Sequence, residues 1–257
     1  MKKVLPIVNG FAFISMIVMN YLSNTGVFNG NTMKTVSDRY FNFFTPAGYA
    51  FSIWGIIYLG LFGFVFYNGR QLFNPKNEEP MLFKIGWWFT FTCVLNSFWV
   101  VAWLYEFTAV SVLLMIFMLL SLIKIMQIIL LNLDYHSFKN RLFILFPFAL
   151  YLGWISVALI ANVAGFLTKM NWYGFGISDE YWTIALIVIA GIVNVLVLWK
   201  WNLRTFVAVG IWALLAIAVS NISNQGPESI VYSCYGVAIV LVVLTFASFL
   251  RKQTTSF

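Results

Sequence analysis

Long apolar runs alternate with short polar connectors eight times along this chain. The apolar segments are 4–23, 46–68, 84–105, 107–130, 141–167, 181–201, 204–223 and 228–250. Each reaches the roughly 20 residues that a helix needs to cross a bilayer. Runs that are apolar all round, without the period-2 alternation of barrel strands, predict helices. The expected fold is therefore all-α: a polytopic membrane bundle of eight transmembrane helices. Lys2 and Lys3 precede the first segment, as in a signal peptide. Its apolar stretch is as long as a full span and is interrupted by Asn9 and Asn20, and no clean small-x-small site follows it. It is read as an uncleaved first helix.

Composition agrees with this pattern. Of 257 residues, 62% are hydrophobic and 9% charged, and mean hydropathy is +0.90. A soluble domain carries about 25% charged residues, so this chain lacks the polar surface to cover itself in water. The same figures exclude disorder, a coiled coil, a collagen-like array and a disulfide scaffold.

The net charge of +7 would suggest nucleic acid in a soluble protein. Its location gives another account. Lys2, Lys3, Arg70, Lys76, Lys84, Lys124, Lys139, Arg141, Lys200, Arg204, Arg251 and Lys252 fall on one side of the eight-span topology. Lys34, Arg39 and Lys169 fall on the other. Such a bias sets orientation and places both termini in the cytoplasm. The excess also attracts anionic lipid, and no nucleic-acid partner is needed. The expected location is multi-pass in a bacterial cytoplasmic membrane.

The spans contain no ionisable group at mid-depth. Asp38, Glu78, Glu79, Glu106, Asp134, Asp179, Glu180 and Glu228 all lie in connectors or at helix ends. Ion-coupled transport, a retinal Schiff base, acid–base hydrolysis and metal catalysis therefore lack their residues. His136 is the one histidine and lies in a polar loop; no catalytic or metal-binding residue is expected. Cys93 and Cys234 sit in apolar runs and read as small buried hydrophobes, with a disulfide or redox pair as the alternative.

What remains inside is neutral polar groups and rings: Asn9, Asn20, Ser52, Asn96, Ser97, Gln127, Ser156, Asn162, Asn194, Ser220 and Asn221. Such groups hydrogen-bond between helices or face a cavity. Aromatics make up 19% of the chain. Trp87, Trp88, Trp172, Trp182, Trp199 and Trp201 lie near span ends and read as interface anchors. Trp54, Trp99, Trp154 and Trp212 lie deeper. Trp54 and Tyr58 form an i, i+4 pair, Asn96 and Trp99 an i, i+3 pair, and Trp154, Ala158 and Asn162 one continuous stripe. Indole stripes beside small or amide residues on three helices suit a pocket for a flat apolar ligand with one or two polar anchors; ordinary aromatic packing is the alternative.

The stripes also carry a resemblance. Phe44-Thr45-Pro46-Ala47-Gly48-Tyr49-Ala50-Phe51 followed by Ile53-Trp54 and Tyr58, then Leu95-Asn96-Ser97-Phe98-Trp99, then Tyr151, Trp154, Ala158 and Asn162, follow three motifs in order. They resemble those of the TspO/MBR family, the tryptophan-rich sensory and translocator proteins and peripheral-type benzodiazepine receptors. Ala47 stands where the family has a second proline, Leu150 where it has a proline and Val157 where it has a phenylalanine; Asp38-Arg39-Tyr40 replaces the residues that usually precede F-T-P-P. The resemblance covers roughly residues 1–167. It implies a five-helix bundle with a ligand pocket near its first loop, residues 24–45, which caps the pocket in the family. Ligand-binding residues would be Trp54, Tyr58, Asn96, Trp99, Tyr151, Trp154, Ala158 and Asn162. The implied ligand is a tetrapyrrole, a porphyrin or haem-related molecule, with no cofactor required. Helix 5 ends without a clear cholesterol-recognition pattern, so sterol binding is not supported.

The expected organisation is a five-helix bundle over 1–167 with three further helices over 168–257 packed on it. Ile192-Val193-Asn194 echoes Ile7-Val8-Asn9, and Gly210-Ile211-Trp212 echoes Ser52-Ile53-Trp54, a partial duplication or a coincidence of apolar sequence. The extra helices could also cover a surface used elsewhere for a homodimer. The resulting expectation is a sensor or regulator that binds a tetrapyrrole in the membrane. The alternatives are a light-dependent porphyrin-degrading enzyme and a passive transporter of a hydrophobic solute.

Overall fold

The computed structural model describes residues 4–73 and 81–250. Lys2, Lys3, Lys76, Glu78, Glu79, Arg251 and Lys252 lie outside the described residues, as does the side chain of Arg70. Among the described residues every regular element is helical. Eight helices are long and apolar enough to cross a membrane. They are α1 (Val4–Leu22), α2 (Ile53–Phe73), α3 (Trp87–Leu104), α4 (Thr108–Asn132), α5 (Phe146–Lys169), α6 (Asp179–Trp201), α7 (Arg204–Ser223) and α8 (Glu228–Leu250). The protein is an integral, multi-pass membrane protein with the eight expected spans.

Local chemistry sets several boundaries. A 3-10 turn over Gly48–Ser52 leads into α2. A π-helical turn over Arg141–Leu145 leads into α5. Pro147, near the start of α5, cannot donate a backbone N–H, and its ring crowds the carbonyl four residues earlier. The wider π turn covers that carbonyl, at Phe143. The first loop is not irregular throughout. It holds a short helix, Met33–Arg39, opened by a reciprocal cap: Thr32 Oγ1 accepts from the Thr35 N–H at 3.2 Å, and Thr35 Oγ1 accepts from the Thr32 N–H at 2.8 Å.

The chain divides into two compact units. The first comprises the described residues within Met1–Val36 and Ile53–Ile155. In it α3 packs against α1 and α4, and α2 packs against α1. Its core includes Phe64, Phe89 and Phe148, one each from α2, α3 and α5, with ring centroids 4.9 to 6.0 Å apart in edge-on contacts. Helix α2 comes close to α5 at Gly60, where a methyl group would sit 3.2 Å from Pro147 Cβ. Asn31 closes one end of the unit by donating from Nδ2 to the Leu104 carbonyl at 2.9 Å.

The second unit comprises Ser37–Ser52 and the described part of Ser156–Phe257. Here α6, α7 and α8 pack against one another. Ser178 caps α6, whose first turn carries Asp179 and Glu180, the sign that a helix N-terminus favours. The Ser229 hydroxyl donates to Glu180 and ties the start of α8 to that of α6. At the other end of these helices the Arg204 guanidinium donates to the Ser248 hydroxyl and carbonyl at 2.9 and 2.8 Å, and lies 3.7 Å above the Phe249 ring. Inside, the Asn194 carboxamide donates to the Ala190 carbonyl at 2.8 Å and rests on Gly210 of α7, which has no side chain to displace it.

The interface anchors divide by structure. Trp87, Trp88 and Trp199 are exposed, as a lipid or headgroup contact requires. Trp172 and Trp182 instead face each other at 5.2 Å, and the Trp182 Nε1–H donates to the Gly174 carbonyl at 2.8 Å. They organise the connector between α5 and α6 as well as marking its depth.

Candidate functional site

The candidate site lies in the first unit and is centred on Trp54, the second residue of α2. One turn on, the Tyr58 ring stacks on the Trp54 indole at 5.5 Å with planes 20° apart. This is the geometry that i, i+4 spacing permits on one helix face. From α3, Trp99 approaches the same indole at 6.2 Å and 33°. From α5, Tyr151 and Trp154 meet it edge-on, at 5.8 Å and 66° and at 6.3 Å and 83°. Five rings from three helices therefore share one centre. Trp54 is half-buried, whereas Trp99, Tyr151 and Trp154 are buried.

A polar chain runs beside the rings. Asn20 Nδ2, from α1, donates to Asn96 Oδ1 on α3 at 2.6 Å and to the Met16 carbonyl at 2.8 Å. Asn96 Nδ2 donates to the Tyr151 hydroxyl at 3.3 Å. That hydroxyl donates in turn to Met118 Sδ, on α4, at 3.1 Å. Asn96 is fully buried. An unpaired carboxamide in hydrocarbon would cost several kcal/mol, so this chain fixes α1, α3, α4 and α5 in a common register. The buried Tyr58 hydroxyl has no hydrogen-bond partner among the described residues. The cluster thus offers broad apolar ring faces, a satisfied amide chain and one unused hydroxyl.

Six of the eight expected residues come together here: Trp54, Tyr58, Asn96, Trp99, Tyr151 and Trp154. Ala158 and Asn162 lie one and two turns further along α5, in the second unit, Asn162 buried and Ala158 half-buried. Two residues outside the expected set complete the chain of hydrogen bonds, Asn20 and Met118. Asn20 was visible as an intramembrane amide without an assigned partner. Met118 carried no signal, because a methionine in an apolar helix reads as packing. Cys93 and Cys234 are both free and buried, as small hydrophobes are. No metal-holding group of His, Cys, Asp and Glu occurs among the described residues.

The family described as TSPO-like protein matches residues 6–247. The chain belongs to the TSPO-like family. The match covers nearly the whole chain and includes the last three spans, beyond the part in which the motifs are readable by eye. No curated protein and no solved structure matches it. Within this TSPO-like chain, Trp54 and Tyr58 of the first motif, Asn96 and Trp99 of the second, and Tyr151 and Trp154 of the third form the ring cluster and the amide chain beside it, while residues 44–51 of the first motif lie in the second unit.

Proposed function

We propose that this TSPO-like protein binds a flat hydrophobic molecule, a tetrapyrrole in the first instance, at the Trp54-centred cluster, and acts as a sensor or regulator. The observation that carries this reading is the convergence of four rings on one half-buried indole, next to a buried hydroxyl without a partner among the described residues. Stacked and edge-on rings favour a planar π system, and Tyr58 can donate to a carboxylate or carbonyl at its rim. The chain's one imidazole, His136, is exposed in a connector. The cluster therefore supplies stacking and hydrogen bonding, and a metal-free porphyrin suits it better than a haem needing an axial histidine.

The orientation proposed with this function has both termini in the cytoplasm of a bacterial cell, as the basic-residue bias requires.

The test is a protoporphyrin IX titration of the purified protein, followed by quenching of tryptophan emission. Trp54→Ala and Trp154→Ala should each weaken binding by about five-fold or more, the effect of losing roughly 1 kcal/mol of ring contact. Tyr58→Phe should weaken a porphyrin bearing free carboxylates more than its methyl ester. Equal affinity in all variants would remove the cluster as the binding site.

A further inference from the structure

Helix α7 holds the segment that leads into α2. The Asn221 Nδ2, near the end of α7, donates to the Phe43 carbonyl at 2.8 Å and to the Ile217 carbonyl at 2.9 Å. The Ala47 N–H donates to the Ala216 carbonyl at 2.9 Å. The Trp212 Nε1–H points to the Ala50 carbonyl at 3.5 Å, and its ring meets Tyr49 edge-on at 5.1 Å. The contacts run in opposite directions along the two partners: 43, 47 and 50 against 221, 216 and 212. Trp212 and Ala216 lie one turn apart on one face of α7, and Asn221 reaches the segment from five residues further on. Asn221, Ala216 and Ala50 are fully buried, so these are interior bonds.

The segment is also shaped from within. Asn42 Oδ1 accepts from the Phe44 N–H at 3.0 Å, the Thr45 N–H donates to the Asn42 carbonyl at 2.8 Å, and Thr45 Oγ1 accepts from the Asn42 N–H at 3.1 Å. This Asx-type turn presents Ala47 as a preformed donor. Ala47 is the residue that departs from the family's F-T-P-P. A proline there would have no N–H, and the bond to α7 could not form.

We propose that Asn221, Ala47 and Trp212 are positioning residues: α7 clamps residues 43–50 and thereby sets the mobility of the chain entering α2, where Trp54 follows Ala50 by four positions. The clamp controls how fast a ligand enters and leaves the Trp54 cluster. This second claim rests on the proposed binding function; the clamp itself does not. It assigns one of the last three spans a task in regulating the site.

The experiment uses the full-length protein in lipid nanodiscs, in five forms: wild type, Asn221→Leu, Ala47→Pro, Ala47→Ser and Trp212→Phe. Amide hydrogen exchange across 43–52 reads the clamp, and stopped-flow quenching by protoporphyrin IX reads entry and exit. Exchange should speed up at least ten-fold in Asn221→Leu and Ala47→Pro, while Ala47→Ser, which keeps the N–H, stays at the wild-type rate. Association and dissociation rates should both rise several-fold in the first two variants and be unchanged in Ala47→Ser. Trp212→Phe keeps a ring on Tyr49 and should fall between them, which preserves the test if a stronger variant does not fold. Unchanged exchange in Asn221→Leu and Ala47→Pro would overturn the clamp. Faster exchange with unchanged ligand rates would overturn its control of the site. Wild-type protein that does not bind protoporphyrin IX would sink the binding function and that control with it, while the exchange data still decide the clamp.

Discussion

Asn96 and Tyr151 are 55 residues apart and joined by a 3.3 Å hydrogen bond, with the amide as donor. The hydroxyl donates in turn to Met118 Sδ, and the Asn96 Oδ1 accepts from Asn20 Nδ2. One carboxamide thus fixes the register of helices that sequence periodicity treats separately. In a bilayer, where lipid tails are as apolar as leucine, such bonds take over part of the role of hydrophobic burial.

Replacing Asn96 with Leu should cost more than replacing Tyr151 with Phe. Asn96→Leu leaves Asn20 Nδ2 with the Met16 carbonyl alone and removes the donor to Tyr151. Tyr151→Phe leaves the Asn20–Asn96 bond intact. Interhelical hydrogen bonds in membranes are worth about 0.6–2 kcal/mol each. Thermal unfolding in detergent should rank wild type, Tyr151→Phe and Asn96→Leu in falling order.

Phe64→Ala tests the packed rings of the first unit. The phenyl group is fully buried against Phe89 and Phe148. In lipid the transfer contribution largely vanishes and the cavity remains. At about 24 cal/mol per Å³, a void on the order of 100 Å³ costs about 2 kcal/mol. A steric-trap or denaturant assay should show that loss, and Phe64→Leu should recover about half of it.

Gly210→Ala should destabilise the second unit, because a methyl group there runs into the carboxamide of Asn194, which is tethered to Ala190. Overpacking of this kind costs about 1–3 kcal/mol. Asn194→Ala should relieve it, so the double variant should melt above Gly210→Ala alone. Additive losses in the double variant would show that the two residues do not meet.

Orientation is open to labelling. Cys93 and Cys234 are buried and give little background. A membrane-impermeant maleimide applied to intact cells should modify Tyr173→Cys, in the exposed connector after α5, and spare His136→Cys, in the connector before it. Labelling of His136→Cys alone would invert the proposed topology.

The eight spans were legible because a run of about 20 apolar residues has few other uses. The rings of the candidate site were legible where spacing places them on one face, as for Trp54 with Tyr58. The partners of Asn96 were not, since nothing in α1 or α4 indicates which turn lies level with it. Asn20 stood out by polarity alone, and Met118 not at all. The short helix Met33–Arg39 was hidden by its seven residues, too few for a period, although Thr32 and Thr35 spell its cap. The bond from Ala47 was invisible for a different reason. A backbone N–H exists at nearly every position, and only the fold shows which one finds a carbonyl on α7.

The four ring contacts of Trp54 would also set a size threshold for the proposed ligand. On the proposed function, a planar guest would have to replace ring contacts worth on the order of 0.5–1.5 kcal/mol each. A single-ring molecule would recover one or two of them and bind weakly, whereas a guest as broad as several fused or linked rings would recover more. Under that proposal, selectivity for large flat molecules would follow from how tightly the four rings hold the indole of Trp54.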